Sequence, residues 1–393
     1  MLLDLDVKNV YVYVADAVRW DFGPDDILNQ GLSIKTIAAG IHSPTSIASI
    51  VSGTYLPQHQ VAQFTDALPT DVPNLLNTSL STAFINSIND VRFEPSEDSI
   101  IANTLNTNVQ PPNTLSSIEP PFVVVERGPG GHAPYGDFEG DGWEYYEERG
   151  ASPREQFASE YRRAIAKDSE WFWSRVESLE EKGLLDDTLI IYTSDHGELL
   201  GEDGMISHSP PIHPKHVFVP TAFIHPDIDN SSIKDRVLRH MDLTPTIASL
   251  LDLKFSTPIQ PIGRDITQEQ LASHGVTFHT MRKSTPVGEY TVDYESAWSP
   301  SGGYVFPQSG ILHRLPFALY QLARVPWREY ARENAASYLR FQLRNARIHG
   351  APEISFSDAE HYIENVKQKG ETGEKQQVQE VAEESLRHLG YIE

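Results

Sequence analysis

Hydrophobic residues in this chain gather into short runs, and several of those runs end on an acid or a small residue. Asn9–Asp16 reads Asn-Val-Tyr-Val-Tyr-Val-Ala-Asp, an alternation of β-branched and aromatic residues that predicts a strand meeting an acid. Ala83–Ser87, Phe122–Glu126 and Leu189–Tyr192 are more continuous apolar runs, the pattern of strands buried on both faces of a parallel sheet. Between the last two, Phe157, Tyr161, Ile165 and Phe172 recur at helical spacing. They predict a long amphipathic helix over Glu155–Lys182, with the aromatics in the core. Strands alternating with helices predict an α/β fold.

The pattern changes near residue 270. Val276–Thr280 and Tyr290–Tyr294 predict strands of a smaller antiparallel sheet, so residues 1–270 read as the main domain and 271–393 as a C-terminal subdomain. Glu97–Pro120, rich in Asn, Thr and Pro, predicts a loop or excursion. Asp137–Arg149 is acidic and aromatic and predicts a lid or surface segment. Residues 310–348 carry Arg314, Tyr320, Arg324, Trp327, Arg328 and Tyr330, with breaks at Pro316 and Pro326. This predicts an amphipathic helical pair packed on the domain or on another subunit. The alternative is a binding surface for an acidic substrate or an anionic lipid headgroup. Lys367–Gln377 reads as a charged linker and Glu380–Glu393 as a short terminal helix. No internal repeat is present.

With 393 residues, 39% of them hydrophobic, the chain can bury one large core and an appendage. Fifty-five acidic residues against 31 basic give a formal net charge of −24, which argues against nucleic-acid binding, where a basic footprint is needed. Arginines outnumber lysines, 20 to 11. An acidic, lysine-poor surface is expected of a protein from a high-salt cytoplasm. There is no cysteine, hence no disulfide, thiolate metal site or cysteine nucleophile. No run has the length of a membrane span and no leader-like stretch precedes the first strand, so a cytoplasmic location is the expectation.

Candidate chemistry starts at the end of the third apolar run. Asp195-His196, followed by Gly197, puts a carboxylate and an imidazole where open α/β sheets hold their ligands. Together they offer one cation a hard oxygen and a nitrogen; a pair that only caps a turn is the plainer reading. Ser43-Pro44 reads as a helix cap with proline in the first helical position. A hydroxyl there faces free amides and the positive end of the helix dipole.

The segment Ser194-Asp195-His196-Gly197-Glu198, inside Thr188–Gly204, resembles the sulfatase family of the alkaline phosphatase superfamily. So does its lead-in, with Tyr161, Ala164, Asp168, Leu179, Gly183, Asp187 and Thr188 where the family has the preceding helix. Asp16 with Ala17-Val18-Arg19-Trp20-Asp21 is similar to the family's first strand and turn, and His132-Ala133-Pro134-Tyr135 to an active-site loop. His208 stands about eleven positions before Val219-Pro220, again as in the family, and Met241–Ile247 with Gly263-Arg264-Asp265 resembles its structural helix and turn.

The resemblance implies an alkaline phosphatase-like, mostly parallel sheet flanked by helices, with a small C-terminal α+β subdomain. It implies one divalent metal ion (Mn, Zn, Ca or Mg) on Asp16, Asp195, His196 and a Ser or Thr oxygen. The family's nucleophile lies ten positions before the glycine matching Gly53, which gives Ser43, with Thr45 as the second candidate. His132 and His208 would steady or protonate the leaving group, and Arg127 would neutralise an oxyanion. His213, His216 and Lys215 lie nearby without a family counterpart.

Two departures matter. Ala17 stands where many members carry a second Asp, so one ligand of the usual calcium site is missing. Thr45 and Ile47 replace the Pro and Arg that accompany formylglycine formation, so an unmodified hydroxyl nucleophile is expected. The resulting expectation is a metal-dependent hydrolase of a sulfate or phosphate ester on a small molecule, glycan or lipid headgroup, with homo-oligomers possible. The alternatives are a phosphotransferase or phosphodiesterase, or an inactive binding protein on the same scaffold.

Overall fold

The computed structural model describes residues 2–88, 100–107, 115–150, 152–285 and 288–378. The expected terminal helix at 380–393, and parts of 97–120, lie outside the described residues. Seven strands form the main sheet: β1 Asn9–Ala15, β2 Leu32–Ile37, β3 Ser81–Asn86, β4 Phe122–Gly128, β5 Thr188–Ser194, β6 Phe218–Ile224 and β7 Ser231–Arg239. Their order is β7-β2-β6-β5-β1-β4-β3. Only β6 runs against its neighbours β2 and β5; the β1–β4, β1–β5, β3–β4 and β7–β2 pairs are parallel. The carboxyl ends of the six co-directional strands therefore share one edge, and the loop entering β6 arrives there too.

Burial explains the apolar runs. Every residue of β1, β4 and β5 is buried, because helices cover both faces. The first long helix, α1 Ser43–Ser52, is buried along its whole length. Two more, α2 Gly142–Arg149 and α3 Arg154–Glu181, lie over the other face, where Phe157, Tyr161, Ile165 and Phe172 join Tyr13 and Tyr192 in the core. The segment expected as a lid, 137–149, is thus partly core: Tyr145 and Tyr146 of α2 are buried, and a capping box from Asp141 and Glu144 starts the helix.

Polar contacts tie α3 to the sheet. Buried Glu126 accepts from Tyr11 Oη (2.9 Å), Trp171 Nε1 (3.1 Å) and Arg175 Nε (2.9 Å). Asp168 accepts from Tyr13 Oη (2.7 Å) and the Gly130 amide (2.8 Å).

A second, antiparallel sheet follows, from β8 Gly275–Thr285, β9 Gly288–Ser299, β10 Gly302–Pro307 and β11 Arg347–Gly350, in that order. Between β10 and β11 stand three helices where a pair was expected: α5 Ile311–Arg324, α6 Arg328–Glu333 and α7 Ala335–Leu343, preceded in the main domain by α4 Leu243–Leu250. Pro316 lies inside α5, while Pro326 falls in the break before α6. Only the two ends of the expected linker lie in elements, in the end of α8, Phe356–Gln368, and in Gln376–Gln377, which pair with Asp66–Ala67. No helix among the described residues is long and apolar enough to cross a membrane.

Candidate active site at the carboxyl edge of the sheet

Ala15 and Ser194 are register partners in the β1–β5 pair, so Asp16 and Asp195 leave the sheet side by side. Asp195 Oδ1 accepts from the amides of Ala17 (3.0 Å) and His196 (2.9 Å), which fixes the carboxylate across both strand ends. Its other oxygen, Oδ2, is buried without a hydrogen-bond partner. Asp16 repeats the arrangement: Oδ2 is paired with Arg127 Nη2, and Oδ1 is buried with none. His196 Nδ1 donates to the Gly197 carbonyl (3.0 Å), a contact that leaves Nε2 as the lone-pair nitrogen. That nitrogen lies 3.7 Å from Asp16 Oδ1, 3.6 Å from Asp195 Oδ2 and 3.5 Å from Ser43 Oγ.

Two carboxylate oxygens buried without donors are costly. Here they face each other and an imidazole lone pair, with the ligating atoms of Asp16, Asp195 and His196 all within 4.8 Å of one another. A divalent cation would satisfy all three. This donor set, with a hydroxyl at its rim, suits Mn, Zn, Mg or Ca. Ala17 has a left-handed φ of 58° and donates its amide to Asp195. The turn is held by Tyr161, whose hydroxyl donates to the Ala17 carbonyl (2.6 Å) and accepts from the Arg19 amide (2.9 Å).

Ser43 is the first residue of α1, with His42 at the cap position and Pro44 second, one step from the expected arrangement. The reason is visible in its side chain. Ser43 Oγ turns away from its own helix and accepts from Arg127 Nη2 (3.2 Å), beside His196. Thr45 is differently placed: its hydroxyl donates to the carbonyls of Val61 (3.0 Å) and Ala62 (3.4 Å). Arg127, buried near the end of β4, thus touches both Asp16 and Ser43.

Three more imidazoles stand around the serine. The His208 ring lies 4.5 Å from His196, 5.5 Å from His132 and 6.3 Å from His42. It is brought there by a tight hairpin, Leu199–Leu200 against Ile206–Ser207, with left-handed Asp203 and Ser207. His208 Nδ1 faces Glu198 Oε2 at 3.4 Å. Burial opposes a charged His208, but Glu198, then Asp16 and Asp195, outweigh it and raise its pKa above the ordinary imidazole value. His42 is pushed well below that value, first by burial and then by neighbouring imidazoles. At neutral pH, His208 is therefore the better proton donor of the two. His132 Nδ1 faces the Ala133 carbonyl at 2.6 Å.

The remaining candidates serve the scaffold. His213 caps a short helical turn by accepting from the Lys215 amide (3.1 Å), His216 faces the Ser207 carbonyl (3.4 Å), and Lys215 Nζ pairs with Asp21 (2.6 Å). Glu198 and His42 were not singled out from sequence. The first had a signal, its place in the Asp-His-Gly-Glu group; the second had only its position beside Ser43.

A family model described as Sulfatase matches residues 96–253. A Haloferax volcanii protein named low-salt glycan biosynthesis sulfotransferase Agl7 is 30% identical over 410 residues, covering 98% of this chain and 96% of its own. Among solved structures, the 2-O GAG sulfatase BT1596 superposes with a TM-score of 0.59 at 13% identity, over 77% of this chain and 83% of its own. The phosphonate monoester hydrolase of Agrobacterium radiobacter gives 0.52 at 14%, over 85% and 96%. At such identities the structural likeness is one of fold. Taken with the full-length relative and the matching family model, it leaves one assignment: the chain belongs to the sulfatase family of the alkaline phosphatase superfamily.

Proposed function

We propose that this chain is a metal-dependent enzyme of sulfate esters that carries the sulfuryl group covalently on Ser43. The observation that supports the reading is the convergence of Ser43 Oγ on the partnerless atoms Asp16 Oδ1 and Asp195 Oδ2 and on His196 Nε2. A divalent cation held by Asp16, Asp195 and His196 would lower the pKa of the serine hydroxyl and neutralise an ester oxygen. Arg127, donating to Ser43 Oγ, orients the nucleophile and opposes the negative charge that develops on it. In the first displacement the Ser43 hydroxyl, acidified as above, gives its proton to solvent, its oxygen bonds to sulfur, and the bond from sulfur to the ester oxygen breaks. His208, whose charged form Glu198 favours, gives the departing alkoxide its proton. In the second displacement an acceptor hydroxyl gives its proton to the now neutral His208 and bonds to sulfur, and the bond from sulfur to Ser43 Oγ breaks.

Water as the second nucleophile makes the enzyme a hydrolase. A glycan hydroxyl makes it a transferase, and one observation favours that second reading. The full-length relative is named a sulfotransferase of glycan biosynthesis. An unmodified serine sulfate has no second hydroxyl on its carbon from which to expel sulfate, so either acceptor, water or sugar, must attack the sulfur. A nucleophile at 43 rather than 45 is the common element of both readings.

The test is turnover of nitrophenyl sulfate, phosphate and a phosphodiester in molar KCl, with metal content measured, for wild type and Ser43→Ala, with and without a sugar alcohol. One bound metal, a preference for sulfate and loss of turnover in Ser43→Ala are the expected results. Faster turnover with the sugar identifies a transferase. A preference for phosphate or phosphodiester would move the reading to the phosphoryl branch. Metal without turnover of any ester would leave a binding protein and overturn the enzyme reading.

A further inference from the structure

Helix α5 is apolar on two sides. Its inner stripe buries Phe317 and Ala318, with Arg314 and Gln321, and Phe317 packs against Val292, Tyr294 and Trp298 of β9. Its outer stripe is Ile311, Leu312, Leu315 and Leu319, exposed by 52%, 84%, 39% and 53%. These positions recur every three to four residues and so share one face. A surface helix ordinarily turns a polar face outward, and this one does not along the stripe.

Charge in the segment that carries the stripe is opposite in sign to the molecule. Helix α5 contains no acidic residue. Residues 310–348 hold seven arginines and two glutamates, a net charge of +5 in a chain of −24. Of the arginines at the surface of α5, α6 and α7, namely Arg324, Arg328, Arg332, Arg340 and Arg344, only Arg328 has a carboxylate partner among the described residues, Glu147 at 2.9 Å. The ammonium of Lys283 lies 3.7 Å over the ring of Tyr320, beside Leu319.

We propose that the outer face of α5 docks this chain on an anionic lipid bilayer, with the four aliphatic side chains inserted among the headgroups and the arginines against lipid phosphates. Exposed aliphatics on a segment rich in surface cations, most of them without carboxylate partners, are what an interfacial helix needs. In a molecule otherwise strongly acidic, the cations must be gathered at the contact, because the remaining surface is repelled. A second copy fits poorly. A two-fold dimer would set this positive patch against itself. The exposed aliphatic area is little more than two side chains' worth, far below the roughly 800 Å² each partner of a stable interface buries.

The test is sedimentation of the full chain with phosphatidylglycerol or phosphatidylcholine vesicles in 0.2 M and 2 M KCl. Binding to phosphatidylglycerol, weakened but not abolished by salt, is expected. Leu312→Glu/Leu319→Glu should lower the partition coefficient at least tenfold with an unchanged thermal melt. Arg324→Glu/Arg340→Glu, in which no aliphatic residue changes, should lower it mainly at low salt. Failure of the wild type to bind phosphatidylglycerol, or binding unaltered in both variants, overturns the proposal. A wild-type dimer that the leucine variant dissolves would assign the face to self-association instead.

Discussion

Ser43 and Thr45 are two positions apart on α1, and helical geometry separates their tasks. One residue turns 100°, so positions i and i+2 point to nearly opposite sides. Ser43 Oγ faces Arg127 and His196, and Thr45 Oγ1 is bound to the carbonyls of Val61 and Ala62. Thr45→Val should therefore cost stability, about 1–2 kcal/mol for carbonyls left short of a donor, while turnover per folded molecule stays within about twofold. Thermal melts and kinetics on the same preparation measure both; a loss of turnover as deep as that of Ser43→Ala would return the nucleophile to position 45. Ala17 permits a second substitution. Its left-handed backbone is one that Asp and Asn tolerate better than Ala, and it lies between the two metal-facing carboxylates. Ala17→Asp should add a carboxylate ligand and raise Ca²⁺ affinity relative to Mn²⁺, read by metal titration of the apoprotein. Unchanged selectivity would mean that the residue 17 side chain does not reach the site.

At the scale of elements, the loop after β4 decides whether the site assembles. Gly131 N donates to the Asp16 carbonyl (2.7 Å), and Gly130, at φ 52°, lies so close that a Cβ there would fall 2.0 Å from that oxygen. Gly130→Ala must push Arg127 and His132 away from Asp16, or move Asp16 itself. The expected outcome is loss of stoichiometric metal and of most activity, together with about 1–3 kcal/mol of destabilisation from the left-handed backbone. Metal analysis beside a urea melt checks it, and full metal occupancy would contradict it. The residues of this loop were legible because strand, Arg127, glycines and His132 are contiguous in the chain. Other elements were not. The run at 217–223 is as apolar as the parallel strands, and nothing in its pattern says that β6 is reversed. β7 and β11 escaped because they are edge strands with polar, partly exposed faces, so neither shows an apolar run.

For the whole molecule, the net charge was legible at once, and its consequence is a competition between two electrostatic terms. Screening removes the attraction within exposed pairs such as Lys8–Asp187 and Lys167–Asp137, which contribute little in any case. It also removes the repulsion among the excess acids of a −24 chain, a many-body term that opposes the compact state. The buried pairs Arg127–Asp16 and Arg239–Asp242 are sheltered from added ions. Repulsion is the larger loss, so salt should stabilise. Between 0.1 M and 2 M KCl the melting temperature should rise, each ~1 kcal/mol of relieved repulsion giving about 2–4 °C in a domain of 150–250 residues and less here. Most of the gain should come below about 1 M, where the screening length has shrunk to roughly 3 Å. A scan of melting temperature against KCl, with sorbitol at matched osmolality to separate screening from solvent exclusion, reads the effect directly. A flat or falling curve would mean that the acidic surface is neutral to folding, and the expectation of a high-salt protein would lose its physical basis.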